Sequence, residues 1–90
     1  MPDMHATDRA AILAGITAIA RSVFDDPALE LTLETMSDDV PAWDSMNHIT
    51  LVVEAECRFG IQFQTAEIED LKSVGELVCA IEARLASVHA

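Results

Sequence analysis

The sequence predicts an all-α fold: a small antiparallel four-helix bundle with three main helices, a short third helix and a long first loop. Apolar residues recur at the 3.6-residue spacing of helices over most of the chain. Glycine and proline number only three each, so few positions interrupt that pattern. Ninety residues, 51% of them hydrophobic, are enough for one compact core. We therefore expect residues 1–90 to form a single domain.

The first helix is predicted between Thr7, a favourable N-cap residue, and Asp25. The residues that keep its helical period are Ile12, Ile16, Ile19, Val23 and Phe24. Residues 26–43 then form a connection that is long for a compact domain. Its alternating leucines look like a strand, but no second strand is available to pair with them. Its apolar side chains can instead anchor it over the helices: Leu29, Leu31, Leu33, Met36, Val40 and Trp43.

The second helix is predicted to begin at Asp44 or Ser45 and to end at Phe59-Gly60, where glycine suits a left-handed C-terminal position. With about 100° per residue, its apolar residues fall on two opposite faces. One face should pack on the core and carries Leu51, Val52, Ala55 and Phe59. The other should be at least partly exposed, as a docking surface would be, and carries Met46, Ile49 and Val53. The alternative is that the short third helix covers this second stripe.

Two shorter signals complete the fold. A short turn of helix that carries Ile68 and Leu71 is expected after Thr65. The last helix should open at Ser73, whose spacing from Glu76 matches the reciprocal capping pattern. The apolar residues of that last helix are Val74, Leu77, Val78, Ile81 and Leu85. Cys79 lies in this apolar run and is interpreted as a small buried hydrophobe.

The charge is strongly acidic, with five Lys and Arg against sixteen Asp and Glu, a formal net charge of −11. Such a surface repels nucleic acid and anionic lipid, so neither is expected as a partner. No Lys or Arg occurs between Ser22 and Cys57, so this region should be electronegative and either steer a basic partner or merely keep the chain soluble. Without a membrane span or a basic leader, we expect a cytoplasmic monomer.

Self-contained catalysis is not predicted. The cysteines and histidines lack the spacing of metal ligands, so no metal site is expected. Ser45 could act as a nucleophile only with a positioned base, and the helical wheel turns His48 toward the core. An Asp-Ser pair before an apolar run is, by itself, most often a helix cap.

The stretch "DSMNHITLVVEAECRFGIQF" resembles the acyl carrier protein family, in which Asp-Ser-Leu starts the second helix and Phe-Gly-Ile follows its end. The order of helices extends the resemblance over nearly the whole chain. The resemblance implies that Ser45 is not a catalyst but the acceptor of 4′-phosphopantetheine, moved from coenzyme A by a phosphopantetheinyl transferase. The arm's thiol would then carry acyl groups as thioesters.

The resemblance also implies roles for the neighbours of Ser45. Asp44 would orient the serine or meet the transferase and its metal. The exposed stripe and its acids would meet loading and transferring enzymes that carry basic docking patches: Met46, Ile49, Val53, Glu54 and Glu56.

Several residues depart from the family pattern, and they bear on which class of pathway the carrier would serve. Ala42-Trp43 replaces the usual Gly-x before Asp-Ser, and Asn47, Thr50 and Cys57 stand where acids are common, with Arg58 adding a positive charge. These changes argue against housekeeping fatty acid biosynthesis and favour a specialised lipid, polyketide or secondary-metabolite pathway. A carrier of aminoacyl groups, of the D-alanyl or peptidyl type, is the alternative within the class. An unmodified acidic interaction module is the alternative outside it.

Overall fold

The structure is a computed structural model that describes residues 9–89, with side chains as far as residue 86. Four helices follow one another: α1 (Arg9–Val23), α2 (Ser45–Phe59), α3 (Thr65–Asp70) and α4 (Val74–His89). A 3-10 turn at Ser37–Asp39 lies in the long connection between α1 and α2, and residues 9–89 contain no strand. The predicted all-α bundle with a long first loop is confirmed. The predicted N-cap, Thr7, lies outside the described residues.

Left-handed residues end the first two helices. Asp25, at φ 55°, follows α1, and the Asp26 N–H reaches back to the Arg21 carbonyl at 2.9 Å. Aspartate tolerates this conformation better than most side chains, and Pro27 prevents the helix from continuing. Gly60, at φ 67°, ends α2 as predicted. The chain therefore changes direction directly after the C-terminal end of each of these two helices.

The core is entirely apolar: no polar or charged side chain is buried among the described residues. Helices α1, α2 and α4 each contribute one buried stripe. The fully buried large side chains are Ile12, Ile16, Leu51, Val52, Val74, Leu77, Val78 and Ile81. Leu31, Val40, Trp43, Ile61, Phe63 and Leu71 join the same cluster from the connections.

The two faces predicted for α2 are observed. Leu51, Val52 and Ala55 are buried, whereas the apolar stripe on the opposite side stays in solvent because α3 does not cover it. Phe59 is half-buried rather than fully buried, with its ring against Gly15 of α1; a Cβ on Gly15 would approach the Phe59 Cζ to 2.9 Å. Helix α2 therefore uses one face for folding and leaves the other free.

The long loop is held against the start of α4. The Val74 N–H donates to the Thr35 carbonyl at 2.8 Å, and the Gly75 N–H donates to the Leu33 carbonyl at 3.0 Å. Glycine is required at position 75 because a Cβ there would lie 2.7 Å from the Leu33 carbonyl oxygen. One isolated bridge, between Met36 and Ser73, is all the strand pairing that residues 9–89 contain. Leu29, Leu31 and Leu33 thus anchor the loop by packing in or against the core. Met36, which was also expected to be an anchor, is exposed.

Helix α3 is short and depends on side chains for its attachment. The Gln64 N–H donates to the Glu67 carboxylate at 3.0 Å, and Arg84 of α4 pairs with that carboxylate and lies 5.7 Å from the centre of the Phe63 ring. The Gln64 N–H bond, aided by the charge of Arg84, lowers the pKa of Glu67. The Phe63 N–H in turn donates to Glu56 at 2.7 Å, which connects this segment to α2.

Two predictions about α4 need correction. Cys79 is exposed, because it is next to buried Val78 in sequence but about 100° further round the helix. At the helix start, Ser73 accepts the Glu76 N–H at 3.1 Å as predicted. The Glu76 carboxylate, however, accepts the backbone N–H of Lys72 at 2.9 Å and the Ser73 hydroxyl at 3.3 Å, rather than the Ser73 backbone N–H. No helix in the described part of the chain is long and apolar enough to cross a membrane.

Candidate functional site

Ser45 is the first residue of α2, and its side chain is exposed. Asp44, rather than Ser45, is the N-cap residue: its Oδ1 accepts the Asn47 N–H at 2.9 Å. The Ser45 hydroxyl has no hydrogen-bond partner among residues 9–89. The site therefore presents a free hydroxyl at a helix N-terminus, where backbone N–H groups and the helix dipole favour a negative charge.

Short hydrogen bonds hold the turn before Ser45 in one conformation. The Asn47 side-chain amide donates to the Ala42 carbonyl at 2.8 Å, and the Asp44 N–H donates to the same carbonyl at 3.0 Å. The His48 N–H donates to the Asp44 carbonyl at 2.8 Å as the first bond of the helix. Asn47, at a position where the family pattern often has an acid, is thus part of the support of Ser45.

Replacing Asp44 by alanine is expected to lower the free energy of unfolding by about 0.5 to 2 kcal/mol, because the Asn47 N–H loses its cap acceptor. Chemical denaturation measures this change. Asp38→Ala is the matched control, since it removes the same charge from an exposed carboxylate without a described partner. Equal stability of the two variants would show that the Asp44 cap adds nothing.

His48 connects three parts of the site. Its Nδ1 accepts the indole N–H of Trp43 at 2.9 Å, and its Nε2 lies 2.7 Å from the carbonyl oxygen of Ile68 in α3. An indole nitrogen can only donate, so the Nδ1 of His48 accepts and carries no hydrogen. The ring hydrogen of His48 is therefore on Nε2, which donates to the carbonyl oxygen of Ile68. The indole and imidazole ring centroids are 6.0 Å apart, and the ring planes are inclined by 29°. His48 therefore ties α3 and the residue before Asp44 to the first turn of α2.

This arrangement removes the candidate base for a serine nucleophile. Both ring nitrogens of His48 are bonded to groups other than Ser45, and the Ser45 hydroxyl has no partner among the described residues. A nucleophilic serine needs a base within hydrogen-bond reach. Ser45 therefore has no catalytic base among the described residues.

Two cavities of different character meet at Ser45. The first is a polar cleft of about 160 Å³ lined by Ser37, Trp43, Asp44, Ser45, His48, Glu69, Leu71 and Lys72. The second is a more apolar groove of about 440 Å³ between α2 and α3, lined by Ser45, His48, Ile49, Thr65, Ile68 and Glu69. Ser45, His48 and Glu69 belong to both walls. A group attached to Ser45 thus has a polar and an apolar surface within reach.

The predicted docking residues lie along the exposed face of α2. Met46, Ile49 and Val53 are 78%, 55% and 45% exposed, and Glu54 beside them is exposed. Glu56 is different: it is half-buried and its carboxylate accepts the Phe63 N–H, so it braces the end of α2. The structure thus leaves a continuous apolar stripe in solvent, starting next to Ser45.

Some residues of the site carried no sequence signal. The bond from His48 to the Ile68 carbonyl and the presence of Lys72 in the cleft depend on the return of the chain through α3, which no local pattern encodes. His48 could have been suspected, because a polar residue turned toward the core needs hydrogen-bond partners.

Comparisons with known proteins agree with this geometry. An acyl carrier protein of Acidothermus cellulolyticus is 34% identical over 68 residues, which cover 74% of this chain and 80% of that protein. One from Renibacterium salmoninarum is 36% identical over 72 residues, 78% of this chain and 86% of its own. The solution structure of the holo acyl carrier protein of Geobacter metallireducens superposes with a TM-score of 0.78 at 40% identity, covering 87% and 90% of the two chains. No protein-family model matches the sequence.

Proposed function

The chain belongs to the acyl carrier protein family, and from that premise we propose that Ser45 carries 4′-phosphopantetheine. Relatives of this kind are carriers that other enzymes modify and load. In the proposed reaction a phosphopantetheinyl transferase supplies the base that takes the Ser45 hydroxyl proton. The serine oxygen forms a bond to the β-phosphorus of coenzyme A, and adenosine 3′,5′-bisphosphate leaves. The terminal thiol of the attached arm holds acyl groups as thioesters.

The observation that carries this proposal is the free, exposed hydroxyl of Ser45 between the polar cleft and the apolar groove. The residues present fit the group. A phosphodiester on Ser45 would lie at the N-terminus of α2, where the dipole and the first N–H groups favour an anion. Asp44 keeps its own carboxylate bonded to the Asn47 N–H, so its role is to fix the turn and face the transferase rather than to bind the phosphodiester.

The exposed stripe of α2 is the proposed docking surface for the transferase and for loading enzymes. Met46, Ile49 and Val53 supply apolar contact, and Glu54 with the acidic long loop supplies attraction to a basic patch. Glu56 adds to the negative charge of this face, although its carboxylate already accepts a backbone N–H. Charge attraction of this kind mainly speeds encounter, so loading should slow as salt is raised.

The pathway is proposed from the departures from the family pattern. The Asn47 side chain donates to the Ala42 carbonyl, and the Thr50 hydroxyl donates to the Met46 carbonyl. At these two positions, where the family pattern often has an acid, the side chains of this chain form hydrogen bonds within α2 and the turn before it. A docking face with fewer acids favours dedicated partners in a specialised lipid, polyketide or secondary-metabolite pathway over the enzymes of housekeeping fatty acid synthesis. An aminoacyl carrier shares the same site and differs only in what the arm holds. We place the loading reaction in the cytoplasm, where coenzyme A is available, on a monomer.

Intact mass before and after incubation with a promiscuous phosphopantetheinyl transferase and coenzyme A tests the function. We expect the chain to gain one phosphopantetheine arm, and none when coenzyme A is omitted. A chain that stays unmodified while a known carrier is loaded in parallel would favour an unmodified acidic interaction module. The mass of the acyl group on protein trapped from its host would then separate an acyl from an aminoacyl carrier.

A further inference from the structure

Three of the five Lys and Arg side chains form ion pairs within the described residues, and two do not. Arg9 pairs with Glu82, Arg21 with Glu30, and Arg84 with Glu67. Lys72, the sole lysine in the sequence, and Arg58 have no ion-pair partner among the described residues, although the chain has sixteen acids. Of these two, Lys72 lines the polar cleft beside Ser45, and Arg58 lies near the opposite end of α2.

The backbone of Lys72 is fixed at this cleft. Its N–H donates to Glu76 of α4 at 2.9 Å, and its carbonyl accepts the N–H of Ser37 in the long loop at 2.9 Å. The flanking Ser73 forms the isolated bridge to Met36. The chain thus holds the base of this side chain in place while its ammonium group stays available.

The acids of the cleft do not neutralise the ammonium. Asp44 and Glu69 line the same cleft as Lys72, yet neither carboxylate lies within ion-pair distance of it. Asp44 is bonded to the Asn47 N–H instead. A negatively charged group on Ser45 would meet two repelling carboxylates there. Lys72 is the one Lys or Arg in the described wall of the cleft, and both ring nitrogens of His48 in that wall are bonded to Trp43 and Ile68.

We propose that Lys72 is a positioning residue that holds the phosphodiester carried by Ser45 on the side of the polar cleft. This inference rests on the proposed function and adds a role for a residue outside α2. The ammonium offsets the repulsion from Asp44 and Glu69, and it gives the anion a charged hydrogen-bond donor. It also keeps the charge away from the apolar groove, where burial of an unpaired anion would be unfavourable.

Phosphorus-31 NMR of the holo protein tests this role without any enzyme assay. Holo forms of the wild type, Lys72→Gln and Arg58→Gln are compared at low salt. Arg58→Gln is the matched control, since it removes one unpaired charge at a position about 20 Å along the helix from Ser45. We expect the phosphodiester resonance to move and sharpen in Lys72→Gln and to stay at the wild-type position in Arg58→Gln. Lys72→Arg, which keeps the charge, should restore most of the wild-type shift.

Salt provides a second comparison. Raising the salt concentration should move the wild-type resonance toward the position of Lys72→Gln and should change Lys72→Gln much less, because the interaction being screened is already absent there. Circular dichroism confirms that the variants fold, which is expected since Lys72 is exposed.

The outcomes separate the two proposals. A phosphodiester signal that is the same in Lys72→Gln and Arg58→Gln would overturn the role of Lys72 and leave the carrier function intact. No phosphodiester signal in the treated wild type would overturn the carrier function and, with it, the role of Lys72.

Discussion

Replacing Ser45 by alanine is expected to abolish loading with phosphopantetheine completely, since the hydroxyl oxygen is the proposed point of attachment. The expected result by intact mass is a single unmodified species after prolonged incubation with transferase and coenzyme A. The fold should survive, because Asp44 and not Ser45 caps α2. An exposed substitution of this kind changes the free energy of unfolding by less than about 0.5 kcal/mol.

Ser37→Ala is the matched control for this experiment. Ser37 lines the same polar cleft as Ser45 but lies in the 3-10 turn of the long loop, not at a helix N-terminus of the bundle. Its variant should be loaded as fast as the wild type. An arm on Ser45→Ala would place the attachment site on another residue, and loss of loading in Ser37→Ala would point to that serine.

We expect a large difference in stability between alanine variants on the two faces of α2. The two residues compared, Leu51 and Ile49, have side chains of nearly equal size. Leu51 is fully buried and Ile49 is 55% exposed, although they are two residues apart. Leu51→Ala should lose about 2 to 5 kcal/mol of folding free energy through lost burial and the cavity left behind. Ile49→Ala should lose less than about 0.5 kcal/mol. Thermal and chemical unfolding of the unmodified variants measures both.

Loading kinetics complete this comparison. Removal of an apolar anchor from a small interface commonly costs more than about 1 kcal/mol of binding, so Ile49→Ala should need several-fold more carrier to reach half-maximal transferase rate. A folded fraction of Leu51→Ala should be loaded with wild-type affinity. If Ile49→Ala unfolds as easily as Leu51→Ala, or if it is loaded normally, the docking role of this stripe is wrong.

The parts of the fold that the sequence predicts are those set by local rules. The 3.6-residue period assigned Leu51 and Ile49 to opposite faces because helix geometry fixes their directions before any tertiary contact forms. The end of α2 at Gly60 followed from the left-handed conformation that glycine adopts easily. The family motif directed attention to Ser45, and the structure shows that its hydroxyl is exposed and without a described partner.

The parts that were missed depend on chain segments far apart in sequence. Ile68 reaches His48 only because α3 returns beside α2, and nothing around position 68 indicates that its carbonyl accepts a second donor. Cys79 shows a different limit: its neighbours in sequence are apolar, but its side chain is exposed. Ser73 and Glu76 have the right spacing, but the Glu76 carboxylate accepts the backbone N–H of Lys72 instead of that of Ser73.

The bond between Trp43 and His48 gives the protein an optical property. Trp43 is the only tryptophan in the sequence, and it is buried. Its indole N–H donates to the His48 ring, which also bonds to the Ile68 carbonyl of α3. Indole emission depends on solvent exposure and on hydrogen bonding at that nitrogen. The tryptophan fluorescence of the protein therefore comes from one residue, two positions before Ser45, and we expect it to change when the attachment of α3 at His48 changes.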